Sequence, residues 1–196
     1  LQVAYLIPIA FYKSLDHLLT KGVRTQNQNS QVFASISVRP INHLQLYGSF
    51  FLDEVKFSRF KLSEPENNPI SYLVGFNWSG WPIDGLSLKG EFMRSYIACY
   101  THSIDVLTWA SNSYNMGHYM GDNAQSIYAE LAYRPVRGLL LKLSYTNDMK
   151  YNSYSYLRDN ISEPSAQQPC DHCIYHSDAI RFDGIYEAHP NMYLRL

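Results

Sequence analysis

The sequence predicts an all-β fold: an antiparallel up-and-down transmembrane β-barrel, or a segment of one. Three observations carry that prediction. Apolar residues alternate with period two, short turns recur around proline, and long polar connections fall at the opposite strand ends. Residues 124–147 contain the pattern in its plainest form. Ile127, Ala129, Leu131 and Tyr133 alternate with Tyr128, Glu130 and Ala132, and after a tight turn Leu139, Leu141, Leu143 and Tyr145 alternate with Leu140, Lys142 and Ser144. Successive side chains on a strand point to opposite faces, so this is a hairpin with one apolar face and one that carries Glu130 and Lys142.

The other elements repeat that unit in order. Residues 1–11 read as a first strand. Val32, Ala34, Ile36 and Val38 share a face, as do Leu44, Leu46, Gly48, Phe50 and Leu52 after the turn at Pro40. Around Pro82, Tyr72, Val74, Phe76 and Trp78 are answered by Leu86, Leu88, Gly90 and Phe92. Before Pro190, Ile180, Phe182, Gly184 and Tyr186 alternate with Arg181, Asp183 and Glu187. The turns are Arg39-Pro40-Ile41-Asn42-His43, Trp81-Pro82-Ile83-Asp84-Gly85, Arg134-Pro135-Val136-Arg137-Gly138 and Ala188-His189-Pro190-Asn191. Proline presets the first corner angle, and Asn, Asp or Gly accepts the next. This makes eight strands and no helix. The stretch 192–196 breaks off inside a further strand, so residues 1–196 are expected to form a single barrel segment of a longer chain.

Between these hairpins run long connections, at 13–30, 55–69, 96–123 and 150–179, rich in Asn, Ser, Tyr, His and Asp. Polar segments of this length are uncommon in a compact domain unless they bind something or move. Short turns at one end and long loops at the other are the asymmetry of outer-membrane barrels. A soluble β-sandwich obeys the same period. Strands of about nine to eleven residues, with Tyr47, Phe51, Trp78, Trp81, Tyr133 and Tyr145 near their ends, favour the membrane.

Composition excludes several classes. No apolar run reaches the ~18 residues of a membrane helix, and a net charge of −1 gives no electrostatic basis for binding nucleic acid. Seventeen tyrosines among 196 residues favour strands and water–lipid boundaries, where an amphipathic ring is stable. No nucleophile elbow, zinc-protease helix motif, phosphate loop or dinucleotide fingerprint occurs. Asp53 and Glu54 are adjacent on a strand, point apart, and cannot flank one bond. No catalytic residue and no cofactor is expected.

Two stretches resemble a known family. Pro8-Ile9-Ala10-Phe11-Tyr12-Lys13-Ser14-Leu15-Asp16-His17, followed by Leu46-Tyr47-Gly48-Ser49-Phe50-Phe51-Leu52-Asp53-Glu54, is similar to paired motifs of the capsule assembly Wzi-like outer-membrane proteins of Bacteroidetes-type bacteria. Gly117-His118-Tyr119-Met120-Gly121-Asp122-Asn123-Ala124, with Ile127-Tyr128 and Tyr133-Arg134-Pro135, resembles a second run of that family. Lys13-Ser14 stands where the family has Arg-Pro, Asp16 where it has Glu, and Gln125 where it has Asp. The resemblance implies a larger barrel in the bacterial outer membrane, with long loops outside the cell that hold capsular or other surface polysaccharide.

Three groups of residues are candidates for function. Trp109, Tyr114, His118, Tyr119, Asp122 and Asn123 combine flat rings with short hydrogen-bonding side chains, a mixture that suits the apolar C–H faces and hydroxyls of a glycan. The same stretch also reads as a loop folded back over the barrel mouth, with Asp122-Asn123 as an Asx turn; Tyr151, Tyr154 and Tyr156 in the next loop share the ambiguity. Lys89, Glu91, Glu130, Lys142, Arg181, Asp183 and Glu187 lie opposite the apolar face, and in a barrel they must line the lumen, paired across strands. Cys170, His172, Cys173 and His176 have the chemistry of a zinc site, but they form one short run in a surface loop where two thiols also close a disulfide. No metal is expected there, and Cys99 is an odd thiol. The expected partners are outer-membrane lipid, surface polysaccharide and other outer-membrane proteins. The function expected is non-catalytic polysaccharide binding or organisation. The alternatives are a passive or substrate-specific porin and a structural subunit of a larger outer-membrane complex.

Overall fold

The computed structural model describes residues 31–53, 70–97, 99–101, 108–151, 173–190 and 192–196. Eight strands form one antiparallel sheet: β1 (Val32–Ile41), β2 (Leu44–Leu52), β3 (Ile70–Ser79), β4 (Leu86–Ser95), β7 (Ala124–Tyr133), β8 (Leu139–Tyr151), β9 (Cys173–His189) and β10 (Met192–Arg195). Each pairs with its neighbour in sequence, in the order β1-β2-β3-β4-β7-β8-β9-β10. A two-residue ribbon, β5 (Ala110–Ser111) with β6 (Tyr114–Asn115), stands apart within the connection from β4 to β7. Among the described residues the sheet is open, with β1 and β10 at its edges. Seven of the eight expected strands are present, and residues 192–195 add another; the expected strand at 1–11 lies outside the described residues.

Register turns the alternation into two surfaces. Val38, Leu46, Phe76, Gly90, Ala129, Tyr145 and Ile180 form one continuous row across seven strands. A neighbouring row runs Leu44, Trp78, Leu88, Leu131, Leu143 and Phe182. These are the alternating residues singled out in the sequence, and Ile36, Val74, Leu88, Leu131, Leu143, Ile180 and Phe182 are all exposed. Most of the buried side chains sit on the other face toward the loop end. There Phe51 packs with Cys99 and Tyr100, and Met93 with Met120 and Ala124.

All described turns fall at one end: Asn42-His43, 80–85, 134–138 and Pro190. The longer connections fall at the other, as expected from the sequence. Three details differ. Pro40 lies within β1 beside a register shift, and the corner is made by Asn42-His43, where His43 takes a φ of 72°. Residues 173–179 and 150–151, expected in a loop, belong to β9 and β8. On this stretch neither face is apolar, so no hydrophobic period marks it. Finally, the β5-β6 ribbon turns through Asn112 (φ 49°) and Ser113 (φ 68°), two left-handed residues in succession, as a tight hairpin requires.

Among the aromatic residues expected near strand ends, Trp78 and Trp81 pack 5.8 Å apart at the turn end. Tyr47 and Phe51 instead project from the polar face. Their odd numbers in β2 place them opposite to Leu46 and Phe50.

Candidate functional site

The polar face is a network built by parity. In β4, Lys89 and Glu91 are two residues apart, share a face, and pair at 3.0 Å. Tyr47 donates its phenol to Glu91 at 2.5 Å, and Tyr128 donates to Glu130 at 2.7 Å. Lys142 reaches Glu130 across strands at 3.8 Å, and the Lys89 ammonium stands 5.5 Å over the Tyr128 ring. Toward the far edge, Arg181 and Arg195 both bind Asp183, at 2.7 and 3.3 Å. All seven charges expected on one face are brought there. The closest pairs, however, run two residues apart along a strand, because a long side chain reaches its same-strand neighbour as readily as the opposite residue. Glu187 lies on the same face near the turns, where its N–H bonds the Gly138 carbonyl at 2.9 Å.

The connection from β4 to β7 folds inward onto this face. The Tyr100 phenol donates to Ser71 at 2.7 Å, and its ring packs on Phe51, as does that of Trp109, each with centroids 5.3 Å apart. Ser95 donates to the Gly121 carbonyl at 2.6 Å and accepts from the Ala124 N–H at 3.1 Å. The Lys150 ammonium bonds the carbonyls of Met120 and Asp122. Asp122 accepts the N–H of Tyr100 at 2.5 Å and that of Thr101 at 2.9 Å. Burial pushes the Asp122 carboxyl above its usual range, opposed by those donors.

The six residues expected to bind glycan therefore divide. Tyr114 stands at the exposed tip of the β5-β6 ribbon, 79% accessible, and Tyr119 is 68% accessible. Their neighbour His118 stacks against Tyr119 with centroids 4.3 Å apart. Trp109, Asp122 and Asn123 instead hold the loop together. Asn123 is buried, with its carbonyl bonded to the Tyr151 N–H, and Asp122 clasps a segment more than twenty residues away. The expected Asx turn is not at Asp122. Asn115 makes it, accepting the Gly117 N–H at 2.9 Å, because Asp122 is already engaged by Tyr100 and Thr101.

Beneath His118 and Tyr119 lies a cleft of about 320 Å³ on the polar face. Lys89, Glu91, Ser126, Tyr128 and Thr146 line it with charge and hydroxyl, and Leu73 and Met93 add an apolar patch. Tyr119 donates to Asp148 at 2.7 Å, and Ser126 donates to the same carboxylate at 2.6 Å. His118 Nδ1 accepts the Met120 N–H at 3.3 Å, the arrangement of a neutral ring. Burial holds its pKa below the ordinary value, against the pull of the Asp148 and Glu91 carboxylates. Sequence reasoning missed Tyr47, Ser126, Tyr128, Thr146, Asp148 and Arg195, although parity with Glu91, Glu130, Lys142 and Asp183 marks each as facing the same way.

At the loop end of the apolar face, Arg94 is buried between the rings of Tyr96 and Tyr151, 5.2 and 4.7 Å from their centroids. Cys99 is fully buried, and burial drives its thiol pKa up. Cys173 is an exposed thiol whose Sγ contacts the Tyr175 carbonyl at 2.9 Å, and His176 pairs with Asp178 at 3.0 Å. Cys170 and His172, and with them Tyr154 and Tyr156, lie outside the described residues. Among the described residues no group of three His, Cys, Asp or Glu is arranged to hold a metal. No family model, curated protein or solved structure matches the chain.

Proposed function

We propose that this chain is a segment of an outer-membrane β-barrel that binds or organises surface polysaccharide through its long-loop end, without catalysing a reaction. One observation carries the membrane reading: among the described residues, a single sheet whose apolar rows are exposed along seven strands while its opposite face is ionic. Exposed apolar patches larger than a few hundred Å² are rare on water-facing proteins, and charged side chains avoid acyl chains. Strands of nine or ten residues such as β2, β3, β4 and β7 rise about 30–34 Å, and tilted by ~40° they cross about 23–26 Å, the height of the apolar band of an outer-membrane barrel. Acyl chains would then cover the apolar rows, and the ionic network would enclose water.

The glycan reading draws on the resemblance to capsule-assembly proteins and on Tyr114 and Tyr119, two accessible rings at the long-loop end. The inward-folded loop favours this over a freely conducting porin, because its anchors to Ser71, Ser95, Asp148 and Lys150 occupy the polar face.

Two measurements test the proposal. Cysteines placed at Leu88 and Leu141 and labelled with a polarity-sensitive dye should be quenched by brominated lipid. A chain that stays monodisperse in buffer without detergent overturns the membrane reading. Immobilised in detergent, the protein should retain surface polysaccharide and lose it on Tyr114→Ala. A steady open channel in a planar bilayer, with no glycan retention, would assign a porin instead.

A further inference from the structure

We infer that the cleft beneath His118 and Tyr119 is a subsite for a single uncharged sugar ring, and that it discriminates against acidic sugars. The inference rests on the glycan reading above and specifies the ligand class. The cleft is small for a ligand site, about 320 Å³ against the ~300–1,000 Å³ usual for small molecules. It holds one ring and its linkage rather than a length of polymer.

Its chemistry is that of a polyol site. The stacked His118 and Tyr119 rings offer an apolar platform at the rim, and Leu73 and Met93 offer another within. Sugar C–H faces pack on such surfaces. Between them, the Thr146 hydroxyl can donate or accept, Glu91 and Ser126, whose own proton goes to Asp148, accept, and Lys89 only donates. A sugar hydroxyl, which does both, is satisfied by this mixture.

A carboxylate is not. Among the described residues Lys89 is the one cation lining the cleft, and Glu91 already neutralises it at 3.0 Å. His118 uses Nδ1 to accept the Met120 N–H, so it stands as a neutral ring. The buried Asp148 carboxylate adjoins the cleft, bonded by two of its lining residues, Tyr119 and Ser126. An anionic ligand would therefore meet two carboxylates and one cation that is already paired, an unfavourable balance in a partly desolvated site.

The test uses the full chain in a detergent without a sugar headgroup, with methyl glucoside and methyl glucuronide as probes, read by saturation-transfer NMR and calorimetry. Methyl glucoside should bind saturably, and methyl glucuronide at least about tenfold more weakly. Thr146→Phe, which fills the cleft, should abolish binding of the neutral probe while the strand circular dichroism is unchanged. Glu91→Gln releases the Lys89 charge and should reverse the preference toward the glucuronide. Equal or tighter glucuronide binding by the unmodified chain overturns the inference. So does absence of saturable methyl glucoside binding, or binding insensitive to Thr146→Phe. If polysaccharide is retained in a Tyr114-dependent way while the cleft probes fail, only the subsite falls; if retention itself is absent, the glycan reading falls.

Discussion

Tyr119 donates its phenol to the Asp148 carboxylate at 2.7 Å, tying the β4–β7 connection to β8 above the cleft. Ser126 supplies the other donor to the same buried group. Tyr119→Phe should leave that carboxylate short of one donor and raise the local opening of residues 117–123 by about 1–2 kcal/mol. Hydrogen exchange at the Met120 and Gly121 amides measures this, with the strand amides of β7 and β8 as the internal reference. Protection unchanged at both amides would mean that Ser126 alone satisfies Asp148.

Asp122 presents both carboxylate oxygens to backbone N–H groups, those of Tyr100 and Thr101. Asparagine keeps the shape but offers one acceptor, and its amide would face an N–H. Asp122→Asn is expected to destabilise the loop anchor by about 1–3 kcal/mol, even though it removes a buried charge. Limited proteolysis should then cut within residues 99–123 while the sheet stays intact.

His118 makes the loop sensitive to acid. Burial holds its folded pKa below 6.5, so the unfolded loop takes up the proton first as pH falls. The stabilisation is complete above the ordinary histidine range and is lost as pH drops through 6.5 toward the lower folded value. Protonation also removes the Nδ1 acceptor of the Met120 N–H. The facing groups are Asp148 and Glu91, whose charge opposes the effect. Exchange at Met120 should accelerate between about pH 7.5 and about pH 5.5 beyond the intrinsic trend, and His118→Gln should flatten that difference.

Gly75 makes room for the Tyr47 ring, which crosses it to reach Glu91. A Cβ at position 75 would sit 2.6 Å from Tyr47 Cζ, so the ring has to move and Glu91 loses its phenol donor. Gly75→Ala should cost about 1–3 kcal/mol. Combined with Tyr47→Ser the penalty should largely vanish, since the clash and the bond go together. Thermal unfolding in detergent across the four-member cycle measures the coupling; additive losses would show that the Gly75→Ala penalty does not come from the Tyr47 ring.

The strands with one apolar face were legible because period two survives wherever one side is greasy and the other polar. Leu88, Leu131 and Leu143 mark their register without any structure. Beyond the apolar rows that signal stops: Ser177, Asp178 and Ala179 gave no alternation to read, and β9 began six residues earlier than position 179. The site was half legible. Lys89, Glu91, Glu130 and Lys142 declared their face by charge, whereas Ser126, Tyr128 and Asp148 shared that parity without standing out. The separation of Tyr114 and Tyr119 from Trp109 and Asp122 depends on contacts with Phe51, Tyr100 and Asp148, which join positions far apart in the chain.

Because, among the described residues, each strand of the large sheet hydrogen-bonds only to the sheet strands before and after it in the chain, each hairpin is a tile laid beside the last. Adding or deleting a whole tile alters the width of the sheet and leaves the pairing within every other tile untouched. Losing a single residue from the middle of one strand is far harsher, since it would turn half of that strand over and place ammonium and carboxylate groups within the apolar rows. A sheet of this pattern therefore tolerates change in steps of two strands and resists change in steps of one amino acid within a strand.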